Sequence, residues 1–224
     1  MTRVKLELKN RDVISNQELV EMLSKSQTNR IEYFKVRDSC IIALLRLTGK
    51  RREEVAILPM ENVWVAENLI SIRFFLVKKW RNMKKPDGTK IRVRNPDNIA
   101  LKKIQVSNPL AKYILEYISW MKDKYPNSKF FFPSSFYSGL TGQINIDIGR
   151  HLSGSQILRI VKKYNPNAWC HLFRDTVGAD IAKSDPSLMS VFRIKQRLDH
   201  VSEQTAWKYL RRYAGEIVGE EIIS

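Results

Sequence analysis

The chain has 224 residues and carries 39 Lys and Arg against 23 Asp and Glu, a formal charge of +16. With 43% apolar residues and only 9 Gly and 8 Pro it has a globular composition, so the charge sits on a folded body and implies a polyanionic partner: nucleic acid first, an anionic membrane surface or ribosomal RNA second. The longest unbroken apolar run, residues 40–45, is far short of the roughly 20 needed to span a bilayer, and no secretion signal opens the chain; Cys40 and Cys170 form no CxxC pair. A membrane span, a disulfide framework and a zinc cluster are thereby disfavoured, and a reducing, cytoplasmic setting is expected.

Residues 1–14 are polar and basic without a period and are expected to form a short arm, with residues 15–224 making a single domain. Ser15-Asn16-Gln17-Glu18 reads as a capping box that opens a helix running to about residue 24. A second helix is predicted over 30–47, ending at Thr48-Gly49, where glycine is the usual stop. Strands are predicted between 62 and 106. Within them, residues 73–103 hold eleven basic and two acidic side chains, a net +9 that is more than half of the total. The β-branched and aromatic run at 69–77, the Pro86-Asp87-Gly88 turn signal and the alternation over 90–94 predict one long basic β-hairpin. A Lys-rich edge can serve merely to block sheet-to-sheet pairing, but that needs a few charges rather than eleven. Trp80, set among the cations, suits a finger that stacks as well as attracts.

Asn108-Pro109 opens a helix predicted over 110–124, and residues 125–152, rich in Pro, Ser and Gly, are expected to form loops over a core. Helices follow at 155–164, 171–183, 188–196 and 202–215. The order helix, helix, sheet, then mostly helix predicts an α+β fold, mostly helical with a small antiparallel sheet. Neither βαβ alternation nor a phosphate-cradling glycine motif is present.

Four short stretches place unusual polar groups where a helix end or face would project them. They are Thr48-Gly49-Lys50-Arg51-Arg52-Glu53-Glu54, His171-Leu172-Phe173-Arg174, Leu198-Asp199-His200, and Tyr209 nine residues beyond His200. The i, i+3 spacing of His171 and Arg174 puts imidazole and guanidinium on one face. Each stretch alone admits a structural explanation: Arg51 can cap carbonyls, His171 can pack, and Tyr209, with Trp207 and Tyr213 near it, can belong to a core.

In this order and spacing, Thr-Gly-x-Arg-x-x-Glu, a basic hairpin, His-x-x-Arg, and Leu-x-His followed by Tyr, the chain resembles the catalytic domain of tyrosine recombinases, the phage-integrase family, from about residue 16 to residue 213. The resemblance implies a site-specific enzyme that cuts and rejoins duplex DNA through a covalent 3′-phosphotyrosyl link, without metal, ATP or other cofactor, as a homotetramer on DNA. It places Arg51, His171, Arg174, His200 and Tyr209 at catalytic positions, with a hairpin lysine as general acid: Lys78 or Lys79 first, Lys84, Lys85 or Lys90 as alternatives. Lys78, Lys79, Arg81, Lys84, Lys85, Lys90 and Arg92 are the expected DNA contacts.

Such residue types suit the chemistry. A phenol is the nucleophile, two always-charged guanidiniums hold the non-bridging oxygens, and a histidine takes or relays the phenolic proton. Tyr213, one turn after Tyr209, is a rival nucleophile that the spacing from His200 disfavours. Glu54 is expected to orient Arg51 or its turn.

Two positions depart from the family pattern: Lys50, where an apolar residue is common, and Asp199, where glycine usually precedes the histidine. The small DNA-clamping domain usual in the family is not legible before residue 15, which suggests either a fragment of a longer protein or a compact stand-alone member. The same chemistry without strand exchange would make a type IB topoisomerase, and its loss would leave a DNA-binding protein on the same fold.

Overall fold

The computed structural model describes residues 13–77, 80–94, 98–138, 142–199 and 202–213, the side chains of 80–84 and 90–94 excepted. It divides into two compact units, residues 1–51 together with 158–224, and residues 52–157. None of the described helices is long and apolar enough to cross a membrane.

The first unit is helical. Helix α1 (Asn16–Gln27) starts where the capping box predicts: the Ser15 hydroxyl accepts from the Glu18 amide while the Glu18 carboxylate accepts from the Ser15 amide. Helix α2 (Glu32–Thr48) buries residues 40–45 completely and stops at Gly49. Three helices of the unit's C-terminal segment, α6 (Cys170–Ser184), α7 (Leu188–Leu198) and α8 (Glu203–Tyr213), share one apolar cluster. It comprises Val177 and Ala182 from α6, Val191, Ile194 and Leu198 from α7, and Ala206 and Leu210 from α8. Helix α6 is the hub, packing on α2, α7 and α8. The segment before α1 is tied to it as well, through the Ile14 amide and the Thr176 hydroxyl at 2.8 Å. Cys40 and Cys170 are both buried free thiols.

The second unit begins with a one-turn helix, α3 (Arg52–Ala56), in which Glu54 is wholly buried. A three-stranded antiparallel sheet follows, ordered β1 (Val63–Ala66), β2 (Leu69–Phe75), β5 (Ile99–Gln105). Period-two patterning works in β5, where Ala100, Lys102 and Ile104 point inward and their neighbours outward. Between β2 and β5 the chain makes a separate two-strand ladder, β3 (Trp80–Lys84) with β4 (Lys90–Arg94). Its turn forms at the Pro86-Asp87-Gly88 signal, where the Asp87 carboxylate accepts from the Thr89 amide at 2.8 Å and these hydrogen bonds hold it below the usual carboxylate range. Among the described residues the basic segment is thus two ladders, β2–β5 and β3–β4. Residues 78–79 and 95–97, which would join them into one long hairpin, lie outside the described residues.

Helix α4 (Ala111–Lys124) packs its Tyr117 ring against Phe131 and Phe132 and hydrogen-bonds the Phe131 carbonyl at 2.9 Å. The stretch expected as loops is instead largely a hairpin, β6 (Pro133–Ser138) with β7 (Gln143–His151). Its signal was the alternation of Ile144, Ile146 and Ile148, obscured by flanking Pro, Ser and Gly and by a strand whose side chains are only partly covered. Helix α5 (Gly154–Tyr164) crosses the boundary between the units.

Gly49 closes α2. It is left-handed at φ +61°, and a Cβ there would lie 2.7 Å from Leu198 Cδ2. Gly49→Ala adds a left-handed penalty of about 1–2 kcal/mol to that clash, so urea denaturation should show a loss of at least that size.

Candidate functional site

The site in the first unit is built on α6. His171 and Arg174 lie one turn apart on it, as the spacing predicts, but their surroundings differ: the His171 side chain is 61% exposed and Arg174 is buried at 1%. Arg174 donates from Nη1 to the Gly49 carbonyl at 2.8 Å and from Nη2 to the Leu198 carbonyl. Those oxygens belong to the C-terminal ends of α2 and α7, where the helix dipole is negative and a cation is favoured. Arg197 adds a second tie, from Nη2 to the Leu47 carbonyl at 2.6 Å. Burial lowers the pKa of Arg197, and the nearby Asp199 carboxylate partly offsets this.

Arg51, half-buried, sits two residues after Gly49 and so rides on the loop that Arg174 holds. The two departures from the family pattern are one interaction. Lys50, wholly buried, places Nζ 2.6 Å from Asp199 Oδ2, and Asp199 takes the left-handed conformation (φ 53°) at the end of α7 that glycine would otherwise supply. Aspartate tolerates that conformation better than most side chains, and here its carboxylate pairs with a buried lysine.

Tyr209 projects from α8 onto α6. Its ring crosses Gly178, where a Cβ would approach ring carbons to 2.5 Å, so the close approach requires glycine. Its hydroxyl donates to Asp175 Oδ1 at 2.8 Å. Asp175 lies one turn after His171, and the same oxygen is 3.7 Å from His171 Nε2. Burial first, then the Asp175 charge and hydrogen bond, push the Tyr209 phenol well above the ordinary tyrosine value, while Arg174 pulls the other way. A cleft of about 230 Å³ is lined by His171, Asp175, Thr205, Lys208, Tyr209, Arg212 and Tyr213. Tyr213 therefore shares the cleft, its ring within cation–π range of Lys183 and Arg212.

Of the residues singled out from sequence, Arg51, His171, Arg174 and Tyr209 all fall in this unit. His200, Lys78 and Lys79 lie outside the described residues, as do the side chains of Arg81, Lys84, Lys90 and Arg92; Lys85 is exposed beside the hairpin turn. Sequence reasoning missed Asp175, although its i+4 spacing from His171 was available, and it did not foresee that Lys50 and Asp199 pair. Among the described residues no three His, Cys, Asp or Glu side chains cluster as a metal site.

No family model matches the sequence, and no curated protein sequence matches it. Solved structures do. The XerH site-specific recombinase bound to difH substrate, in a pre-cleavage complex, superposes with a TM-score of 0.58 at 14% identity over 88% of this chain. The XerA recombinase gives 0.59 at 15% over 93% of this chain. The fold is that of a tyrosine recombinase catalytic domain. A lambda integrase (75–356) dimer bound to a COC′ core site matches as well, at 0.51 and 12% identity, over 90% of this chain and 59% of its own. The chain spans 49% of the XerH structure and 64% of XerA.

Two outcomes follow from this geometry. Removing either partner of Lys50–Asp199 takes the 2.6 Å ion pair from the other and should cost about 3 kcal/mol, whereas Lys50→Met with Asp199→Gly should cost clearly less than the two single changes summed, in a denaturation double-mutant cycle. In a phenolate absorbance titration, the component lost in Tyr209→Phe should titrate above the ordinary value of about 10 and should move down in Asp175→Asn, which removes the opposing charge.

Proposed function

We propose that the chain is a site-specific DNA recombinase or integrase that breaks and rejoins duplex DNA through Tyr209. The observation that carries this reading is the Tyr209 phenol, which opens on a cleft with His171 and basic side chains, beside the fixed charge of Arg174, on a recombinase catalytic-domain fold. Tyr209 Oη attacks the scissile phosphorus, the O–P bond forms as the bond to the 5′-oxygen breaks, and the bond energy is kept in a 3′-phosphotyrosyl ester so that rejoining needs no ATP. Arg51 and Arg174 supply the positive charge that meets the developing negative charge on the non-bridging oxygens. Holding Arg174 in a buried, pre-oriented position makes that charge available without reorganisation, which is what electrostatic catalysis requires. His171 takes or relays the phenolic proton, His200 hydrogen-bonds the phosphate, and Lys78 or Lys79 protonates the leaving 5′-oxygen.

The partner is duplex DNA. XerH and lambda integrase were solved with their DNA sites, and the +9 of residues 73–103 supplies a matching field here. Lys78, Lys79, Arg81, Lys84, Lys85, Lys90 and Arg92 meet the backbone, and four protomers assemble on two sites for exchange. The reading places the protein with DNA in the cytoplasm, with residues 15–224 as its catalytic domain.

The test uses a library of nicked duplexes of randomised sequence, scored for a covalent protein–DNA adduct. The adduct should form with the native chain, vanish in Tyr209→Phe and persist in Tyr213→Phe. Arg51→Ala should cut its rate roughly a hundredfold with little change in binding. No adduct despite tight binding would favour a lapsed enzyme, and supercoil relaxation without recombinants a topoisomerase. Replacing Lys84 and Lys85 by Gln should lower the slope of log affinity against log salt by about 1.8 and leave cleavage chemistry intact.

A further inference from the structure

Neither the family pattern nor the motif spacing gives position 175 a role, yet the Asp175 carboxylate hydrogen-bonds the Tyr209 hydroxyl. Its Oδ1 accepts the Tyr209 hydrogen bond at 2.8 Å, and the same oxygen lies 3.7 Å from His171 Nε2. By contrast, the histidine expected to receive the phenolic proton is one helical turn away on the exposed rim of the cleft, at 61% exposure. We infer that Asp175 is a catalytic residue, the immediate acceptor of the Tyr209 proton, and that His171 acts behind it as the relay to solvent.

This rests on the reading of Tyr209 as nucleophile. In cleavage, the Tyr209 O–H proton passes to the Asp175 carboxylate as the Oη–P bond forms, and the P–O5′ bond breaks with a proton delivered to the 5′-oxygen by the general acid. Protonated Asp175 then passes its proton to neutral His171, which closes the 3.7 Å gap by rotation of an exposed side chain or through one water. Religation runs the same transfers backward, so no oxidant, metal or further reactant is needed. A carboxylate is a weak base toward a free phenol, but the phenolic oxygen grows acidic as it bonds to phosphorus, and carboxylates take hydroxyl protons in phosphoryl transfer on that ground.

Among the described residues, the titratable groups around the pair come from two helices. From α6 they are His171 and Arg174, and from α8 Lys208, Arg212 and Tyr213. Three of these, Arg174, Lys208 and Arg212, are cationic, so the cleft presents positive charge to the Asp175 carboxylate. If Asp175 were only a latch that holds the phenol away from phosphorus, removing it would free the nucleophile.

Asp175→Asn separates the two, because the amide oxygen still accepts the phenol's hydrogen bond but cannot take its proton. Single-turnover adduct formation on nicked duplexes selected from the randomised library should fall by about a hundredfold or more in Asp175→Asn, with DNA affinity unchanged. The residual rate should climb about tenfold per pH unit as hydroxide replaces the base, while the native profile is flatter. Asp175→Glu should recover part of the loss, and Asp175→Ala should be no faster than Asp175→Asn. Adduct formation in Asp175→Asn within about threefold of native and with the native pH profile, or a faster Asp175→Ala, overturns the inference while leaving Tyr209 as nucleophile. An adduct that maps elsewhere, or that the native chain never forms, overturns both.

Discussion

The candidate site depends on one buried cation. Arg174 leaves α6 and hydrogen-bonds the carbonyls that end α2 and α7, Gly49 and Leu198. Those two ends carry, within two residues, Arg51 on one side and Asp199 on the other. A guanidinium suits the task because its planar fork reaches two acceptors at once and its charge never titrates away. The negative ends of two helices pointed at the same place would repel each other; the cation between them turns that conflict into a joint.

The surrounding charges follow from that joint. Burying Arg174 is costly unless it is fully hydrogen-bonded, and burying Lys50 beside it is costly unless it is paired. Asp199 meets the second requirement from a left-handed position that also ends α7, so one side chain closes a helix and neutralises a lysine. Gly49 and Gly178 let the parts approach: the first admits Leu198 against the turn and the second admits the Tyr209 ring against α6. The residues that close the helices are also those that shape the candidate site.

Much of this was legible in the sequence because it is local. The Ser15–Glu18 capping box, the Gly49 stop and the helix that carries His171 and Arg174 all depend on neighbours within a turn or two, and all stand where expected. What stayed hidden is long-range. Lys50 and Asp199 are 149 residues apart, and each reads alone as an anomaly; Tyr209 and Asp175 are separated by 34 residues on different helices. The β6–β7 hairpin failed for another reason. Its alternating isoleucines lie on a strand with mostly exposed positions, so the pattern is real but weakly enforced. For the basic segment, charge and turn were readable, but which strand pairs with which is set by register, and β2 chooses β5.

Arg174 holds both loops at once, so amide hydrogen exchange on Arg174→Lys should report on both together. Lysine keeps the charge but loses the fork, so protection should fall together in peptides covering residues 45–51 and 194–199, with α1 unchanged. Native protection at both loops, or a loss confined to one, would show that Arg174 is not the joint between them.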